Sequence, residues 1–300
     1  MLKTAKQTDL VIPAPTTVSV SGALDISGRQ MSAAEYAELA ATLGATIVCR
    51  DGVYWRRVRP FFYRPLLPFE PLETQTVAAP GVWPAGFQFM VRDASVANST
   101  MNFLIYDEPR RYSLEALGHN RRRLIKHASG SFQIRLIRDL SEIKEQGHRV
   151  YLSFFDRTRY AYKSERVRKA GFDRWVETLG NFPKAIVLGG YGAAGLVAVS
   201  VSYWVKDTLW YATLFDDTAA MKEGVCELML HELRRMVAGQ RGIARMVARR
   251  YRGGNSFDHY YLIRGCKLTR LPARLEINPG VKLLLRWCLP REYSAVCGND

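Results

Sequence analysis

Between Phe215 and Arg264 the sequence gathers side chains suited to handling an activated acyl group and its anionic carrier. Arg249, Arg250 and Arg252 stand at the predicted end of a strand, where a guanidinium can fork onto phosphate or carboxylate. His259 is a base whose ordinary pKa lies near the working range, able to accept an amine proton directly or through water. Asp216 and Asp217 can orient a cationic amine, or cap a helix. Tyr260 and Tyr261 add two phenols, for which a packed aromatic with a satisfied hydroxyl is the competing reading.

The elements that must position these groups run from Lys184 to Ile277. Ala185–Leu188 and Leu196–Val205 flank the glycine-rich turn Gly189–Gly195, a hairpin signal. In the second strand Val197, Val199, Val201, Tyr203 and Val205 share one face, leaving Ala198, Ser200 and Ser202 to make the other small. A third strand is predicted over Thr208–Phe215, then a long helix over Ala219–Ala238, ended by Gly239 or Gly242. Ala244–Tyr251 reads as strand again, so a crossover unit with parallel pairing is expected. Ligands of such units sit beyond the carboxyl ends of the strands, which places Phe215–Glu223 and Arg249–Asn255 at the site.

This succession of meander, helix and strand, followed by Asn255-Ser-Phe-Asp-His-Tyr-Tyr-Leu-Ile-Arg-Gly265-Cys266, resembles the second half of a GNAT-superfamily acyltransferase. The run Tyr112–Ala128, with Arg121, Arg122 and Arg123 at its centre, together with Lys267, is similar to the FemAB-like branch, whose members carry two tandem GNAT-type halves. The resemblance spans about Tyr112 to Ile277 and implies an α/β (α+β) fold with mixed sheets flanked by helices. It implies transfer of an acyl group from a thioester, acyl-CoA or acyl-carrier protein, to a primary amine. Asn255 would hold the pantetheine portion and Tyr261 would protonate the departing thiolate, with Tyr260 its rival. Phe215, Arg249, Arg250 and Arg252 would line the donor site, and Asp217 would face the amine.

One departure bears on the donor. The superfamily's pyrophosphate loop has no good match near Asp216–Gly224, and Asp216, Asp217 and Glu223 put negative charge where a phosphate would dock. An acyl donor other than free coenzyme A therefore stays open, including an acidic carrier protein or an aminoacyl-tRNA. An RNA-binding protein and a non-catalytic scaffold are the alternatives from other classes.

The 300 residues divide by pattern into a degenerate first half (1–108), a catalytic half (109–279) and a tail helix (280–300). Residues 1–108 carry 9 Lys+Arg against 10 Asp+Glu, and residues 109–300 carry 34 against 18, so the whole +15 excess belongs to the second part. That bias points to an anionic partner: coenzyme A phosphates, an acidic carrier protein, transfer RNA or anionic lipid. Five scattered cysteines and five histidines form neither a disulfide framework nor a zinc signature, so no metal is expected. Nucleophile-elbow and P-loop motifs are absent from the sequence, which argues against common hydrolases and nucleotide triphosphatases.

No stretch approaches about eighteen uninterrupted apolar residues, and Met1–Ile12 lacks a secretory signal's apolar core, so a cytoplasmic location is expected. Met1–Ser21 reads as an extended arm. Ser32-Ala-Ala-Glu35 reads as a capping box, and Asp51-Gly52 as the turn of a hairpin. The four prolines of Arg59–Pro71 argue against helix or central strand there. Tyr112–Ala128 is predicted as helix, and Val281–Cys288 as a tail helix that is either a docked terminus or a membrane foot.

Overall fold

The computed structural model describes residues 24–75, 77–81, 85–159, 163–251, 253–254, 256–288, 290 and 293–294. The predicted arm Met1–Ser21, and the site candidates Arg252 and Asn255, lie outside the described residues. In chain order the structure runs Gln30–Met31 (β1), Ala33–Thr42 (α1), Ile47–Arg50 (β2), Val53–Arg59 (β3), Phe62–Pro65 (β4), Gly86–Met90 (β5) and Ser99–Asp107 (β6). His119–Ser131 (α2), Gln133–Leu136 (β7), His148–Thr158 (α3) and Lys169–Gly180 (α4) precede the meander Ile186–Gly192 (β8), Gly195–Val205 (β9) and Thr208–Asp216 (β10). Thr218–Lys222 (α5), Val225–Ala238 (α6), Arg245–Arg250 (β11), Ser256–Leu262 (α7), Lys267–Ile277 (β12) and Pro279–Cys288 (α8) complete it.

The strands form one continuous mixed sheet in the order β2-β3-β4-β5-β12-β6-β11-β10-β9-β8-β7, with β1 added parallel to β9. The last strand inserts between two strands of the first third: β12 pairs with β5 through Ala273–Ile277 and with β6 through Lys267–Ala273. Strand β6 in turn pairs with β11. Sequence-distant segments are thus laced together by backbone hydrogen bonds at the centre of the sheet.

Alternation along β9 from Ala198 onward decides what covers each face. Val197, expected on the face of Val199, packs instead with the opposite core, beside a register shift at Gly190/Tyr191. Val199, Val201, Tyr203 and Val205 pack under α1, α3 and α4 with Tyr36, Tyr151, Phe172 and Trp175. On the other face Ala198 sits with Val225, Met229, Leu233 and Val237 of α6, and the small Ser200 and Ser202 are buried on the same strand. The small face predicted from sequence is therefore the seat of a helix, whose apolar stripe at helical spacing matches it.

Ser32 caps α1 as expected: its hydroxyl accepts from the Glu35 amide at 3.2 Å, and Glu35 accepts from the Ser32 amide at 2.7 Å. Asp51 and Gly52 both adopt positive φ (50° and 76°) and close the β2–β3 hairpin. The crossover from β10 through α6 to β11 is parallel, as predicted.

Several expectations are corrected. The single helix over Ala219–Ala238 is two, because Gly224 takes φ +94°, a conformation that ends α5 and restarts α6. The helix predicted from Tyr112 begins only at His119, after Gly118 as its N-cap; the preceding segment turns so that Tyr112 reaches α6. The proline-rich segment contains β4, an internal strand between β3 and β5, since Pro60 lies before the strand and Pro65 closes it. The tail helix α8 is not docked by its apolar side: none of its residues is buried.

Two outcomes test the cap. Ser32→Ala should lower stability by about 1 kcal/mol in urea unfolding. Hydrogen bonding from Lys184, then from the Ser32 amide, lowers the Glu35 carboxyl from 4.5 to about 2. A depressed folded-state pKa gives stability that is present above the unfolded value and lost as pH falls. Glu35→Gln should therefore flatten the stability loss between pH 4.5 and 2.

Candidate active site

Strands β10 and β11 pair over only three positions, Thr208↔Arg245, Leu209↔Met246 and Trp210↔Val247. Beyond Trp210, β10 stays with β9 as far as Asp216, while β11 stays with β6 as far as Arg250. Each carries an irregularity where they part, at Tyr211/Thr213 on β10 and at Val247/Arg249 on β11. The result is a wedge at the carboxyl ends of two parallel strands, with a length of β10 edge that no strand covers among the described residues.

Phenols fill this wedge. Tyr261 of α7 packs edge-on against Tyr211 of β10 (centroids 6.4 Å apart) and against Tyr260 (5.0 Å). Burial pushes the Tyr261 phenol up, with Arg249 opposing, and burial raises Tyr211, Tyr260 and Tyr106 as well. The hydroxyls of Tyr106, Tyr211 and Tyr260 are buried without a hydrogen-bond partner among the described residues. Such groups are costly unless something polar meets them, which makes the wedge suited to a polar reacting group.

The other predicted residues scatter around it. Arg249 reaches Asp258, Nε to Oδ1 at 3.3 Å, and its guanidinium lies over the Phe257 ring. Arg250 is partly buried at the end of β11. His259 is exposed, and standing two positions from Tyr261 on one helix it faces the opposite way. Phe215 is 1% exposed and packs with Tyr151, Phe172 and Trp175, so it belongs to the core under α3 and α4.

Asp217 is the N-cap of α5 and accepts from the amides of Ala219 (2.9 Å) and Ala220 (3.4 Å). Burial works to raise its carboxyl, but those amides and Ser153 hold it below the ordinary value. Asp216 is fully engaged too, by Arg157 at 2.5 Å and by the Cys226 thiol, whose own pKa burial and Asp216 raise. The start of α6 is covered from outside: a Cβ on Gly224 would lie 2.8 Å from Leu124 and 3.5 Å from Ala128, both on α2. One helix start is thus occupied by its own carboxylate and the other lies under a neighbouring helix. Neither fits the pyrophosphate of coenzyme A, which needs open amides.

Sequence reasoning missed the buried charges beside the wedge. Glu227 joins Arg264 (Nε to Oε2 at 2.9 Å) and Arg121 (2.9 Å), and Arg264 lies over the Tyr260 ring at 3.4 Å. Tyr112 Oη and His231 Nδ1 are 2.7 Å apart, and Arg234 stacks between the rings of Tyr112 and Tyr106. On the other face Lys163 donates to Thr213 of β10 at 3.2 Å, and burial, with Arg166 and Arg56, lowers it to about 7. The partners in these sets are far apart in sequence, and no local spacing announces them. Among the described residues no group of three or more His, Cys, Asp or Glu is arranged to hold a metal.

The Glu227 cluster makes a direct prediction. Glu227→Gln leaves Arg264 as a buried charge without its counter-ion, and should cost about 3–5 kcal/mol in equilibrium unfolding.

No protein-family model and no curated protein matches the sequence. Solved structures do match in shape. FemX, at 7% identity, aligns with a TM-score of 0.56 over 85% of this chain and 93% of its own. The C-terminal domain of a lysylphosphatidylglycerol synthetase from Agrobacterium fabrum, at 10% identity, aligns with a TM-score of 0.54 over 92% of this chain and 95% of its own. L-PGS from Bacillus licheniformis, at 12% identity, gives 0.52 over 88% and 92%. These likenesses show the fold: a large mixed sheet flanked by helices, of the FemAB-like, GNAT type that the sequence resembles.

Proposed function

We propose that the protein is a transferase that moves an aminoacyl or acyl group from a large polyanionic carrier, foremost an aminoacyl-tRNA, to an amine, with the reacting carbonyl in the wedge between β10 and β11. The observation that carries this reading is the closure of both helix starts beside the wedge, by Asp217 on α5 and by Leu124 and Ala128 over Gly224. A donor gripped by its pyrophosphate has no seat there, whereas a donor gripped elsewhere by its carrier still reaches the wedge. The net +16 of residues 109–300 suits a polyanion, whose many phosphates are neutralised over a wide surface. One similar structure bears a name that denotes the joining of lysine to phosphatidylglycerol, which supports an activated amino acid as donor.

In this reading the uncovered edge of β10 after Trp210 supplies backbone N–H groups to the carbonyl oxygen as charge develops on it. The neutral amine attacks the carbonyl carbon, and the bond to the carrier breaks. Tyr261 donates its proton to the leaving oxygen and recovers one from the attacking nitrogen, which gives up a proton as the amide forms. A phenol kept protonated by burial suits a departing ribose alkoxide, which needs a proton to leave, better than a thiolate, which does not. Arg249, with Arg250 beside it, guides the carrier's terminal phosphates toward the strand ends. Asp217 then acts as a helix cap, and His259 stands outside the reacting groups.

Single-turnover assays with aminoacyl-tRNA, acyl-carrier protein and acyl-CoA, each with a panel of amines, test this. Turnover should be found with aminoacyl-tRNA and fall steeply with added salt, and Tyr261→Phe should lower it by about 10²–10⁴-fold. Equal turnover with acyl-CoA would overturn the reading of the donor, and an unaffected Tyr261→Phe would overturn the assignment of the acid.

A further inference from the structure

Apolar side chains gather at the end of the sheet where β10 and β11 part. Strand β12 runs in the same sense as β11, since both are antiparallel to β6, so its carboxyl end at Ile277 lies at that end. Ile277 pairs with Gly86, the start of β5, and Gly86 pairs with Phe62, the start of β4. The β3–β4 turn and the start of α8 are consequently neighbours. Backbone hydrogen bonds tie them: Ala85 donates to the Phe61 carbonyl at 2.8 Å, and Asn278 donates to the Ala85 carbonyl at 3.0 Å.

Among the described residues, eight large hydrophobic side chains are exposed, and five of them lie on or beside these two segments. They are Val58 (37%) near the end of β3, Phe61 (62%) on the turn that follows, and Leu283 (65%), Leu284 (60%) and Trp287 (80%) on α8. Leu283, Leu284 and Trp287 recur at three- and four-residue spacing, so they form one stripe along the helix. Lys282 and Arg286, four apart, stand beside it, and Arg57 and Arg59 flank Val58 near the end of β3. Residues 57–61 and 278–288 contain no acidic side chain. Phe61 also holds φ +56°, an uncommon conformation for a residue with a side chain.

From this juxtaposition we infer that the β3–β4 turn and α8 together form a docking surface for an anionic lipid bilayer. The apolar stripe is one helical face wide, as interfacial insertion requires, and α8 is far too short to span. Trp287 and Phe61 are the side-chain types that settle at the headgroup boundary. Lys282, Arg286 and Arg57 sit beside the apolar groups, where they would meet acidic headgroups, whereas a protein partner offering only apolar surface would not match their charge. Docking in this way sets the end of the sheet that carries the wedge toward the membrane. The inference rests on the geometry of this surface and stands apart from the reaction proposed above.

Vesicle co-sedimentation of the full chain tests it, with vesicles of phosphatidylcholine alone and with a third of the lipid replaced by phosphatidylglycerol. Binding should be stronger by roughly tenfold or more on the anionic vesicles and should weaken with salt. Trp287→Ala combined with Leu283→Ser should abolish it while leaving the far-ultraviolet circular dichroism and the melting temperature unchanged, because both residues are exposed. Phe61→Ala, on the other segment, should weaken it independently. No binding to either vesicle would overturn the proposal. So would a concentration-dependent dimer in light scattering that Trp287→Ala dissolves, which would assign the stripe to a second copy of this chain.

Discussion

Everything distinctive about this molecule depends on two parallel strands that stay together for three residue pairs and then separate. A buried strand edge without a partner is unfavourable, because its backbone groups have given up water. The separation is held from outside. Strand β10 is bound along its length by β9, and β11 is bound by β6, which is itself gripped by the inserted β12. The exchange of β12 into the first third of the sheet thus anchors one side of the wedge. The apolar cores on either face then only have to hold the sheet in this shape, and α6 and the α3–α4 pair do so through the alternating faces of β9.

Charge is organised around the same opening. Three buried acids lie on that side of the sheet, Asp216 (2%), Glu227 (7%) and Asp258 (0%), and each meets an arginine: Arg157, Arg264 with Arg121, and Arg249. Buried carboxylates persist only when paired, so these arginines are structural first. They also explain why the expected anion sites are closed. Asp216 and Asp217 are spent on Arg157, Cys226 and the cap of α5. The proposed preference for a donor carried on a large polyanion rests on this arrangement.

Much of this was legible in the sequence wherever the signal is local. The capping box at Ser32, the Asp51-Gly52 turn, the alternating faces of β9 and the parallel crossover to β11 all follow from neighbouring residues and appear in the structure. What was not legible is set by long-range contacts. Gly224 breaks a continuous helical pattern by taking a positive φ, at a place where any Cβ would meet Leu124 of α2, a hundred residues away. Strand β4 survives its prolines because its neighbours in the sheet were not foreseeable from Arg59–Pro71 alone. Tyr260 and Tyr261 stand out in the sequence, whereas Tyr211 and Tyr106, which complete their surroundings, read as ordinary strand aromatics. Phe215 shares its parity with Tyr211 but faces the other core, because the bulge between Tyr211 and Thr213 reverses the alternation of β10.

The most direct test of the wedge as the seat of transfer is amide hydrogen exchange with and without a non-hydrolysable aminoacyl-tRNA end, an amide-linked aminoacyl nucleotide stem. The account predicts new protection at Tyr211–Phe215 on β10 and across α7, with Tyr261→Phe leaving that footprint in place. Protection confined to the basic face of α2, with β10 and α7 unchanged, would contradict it and leave the protein an RNA binder whose wedge plays no part in transfer.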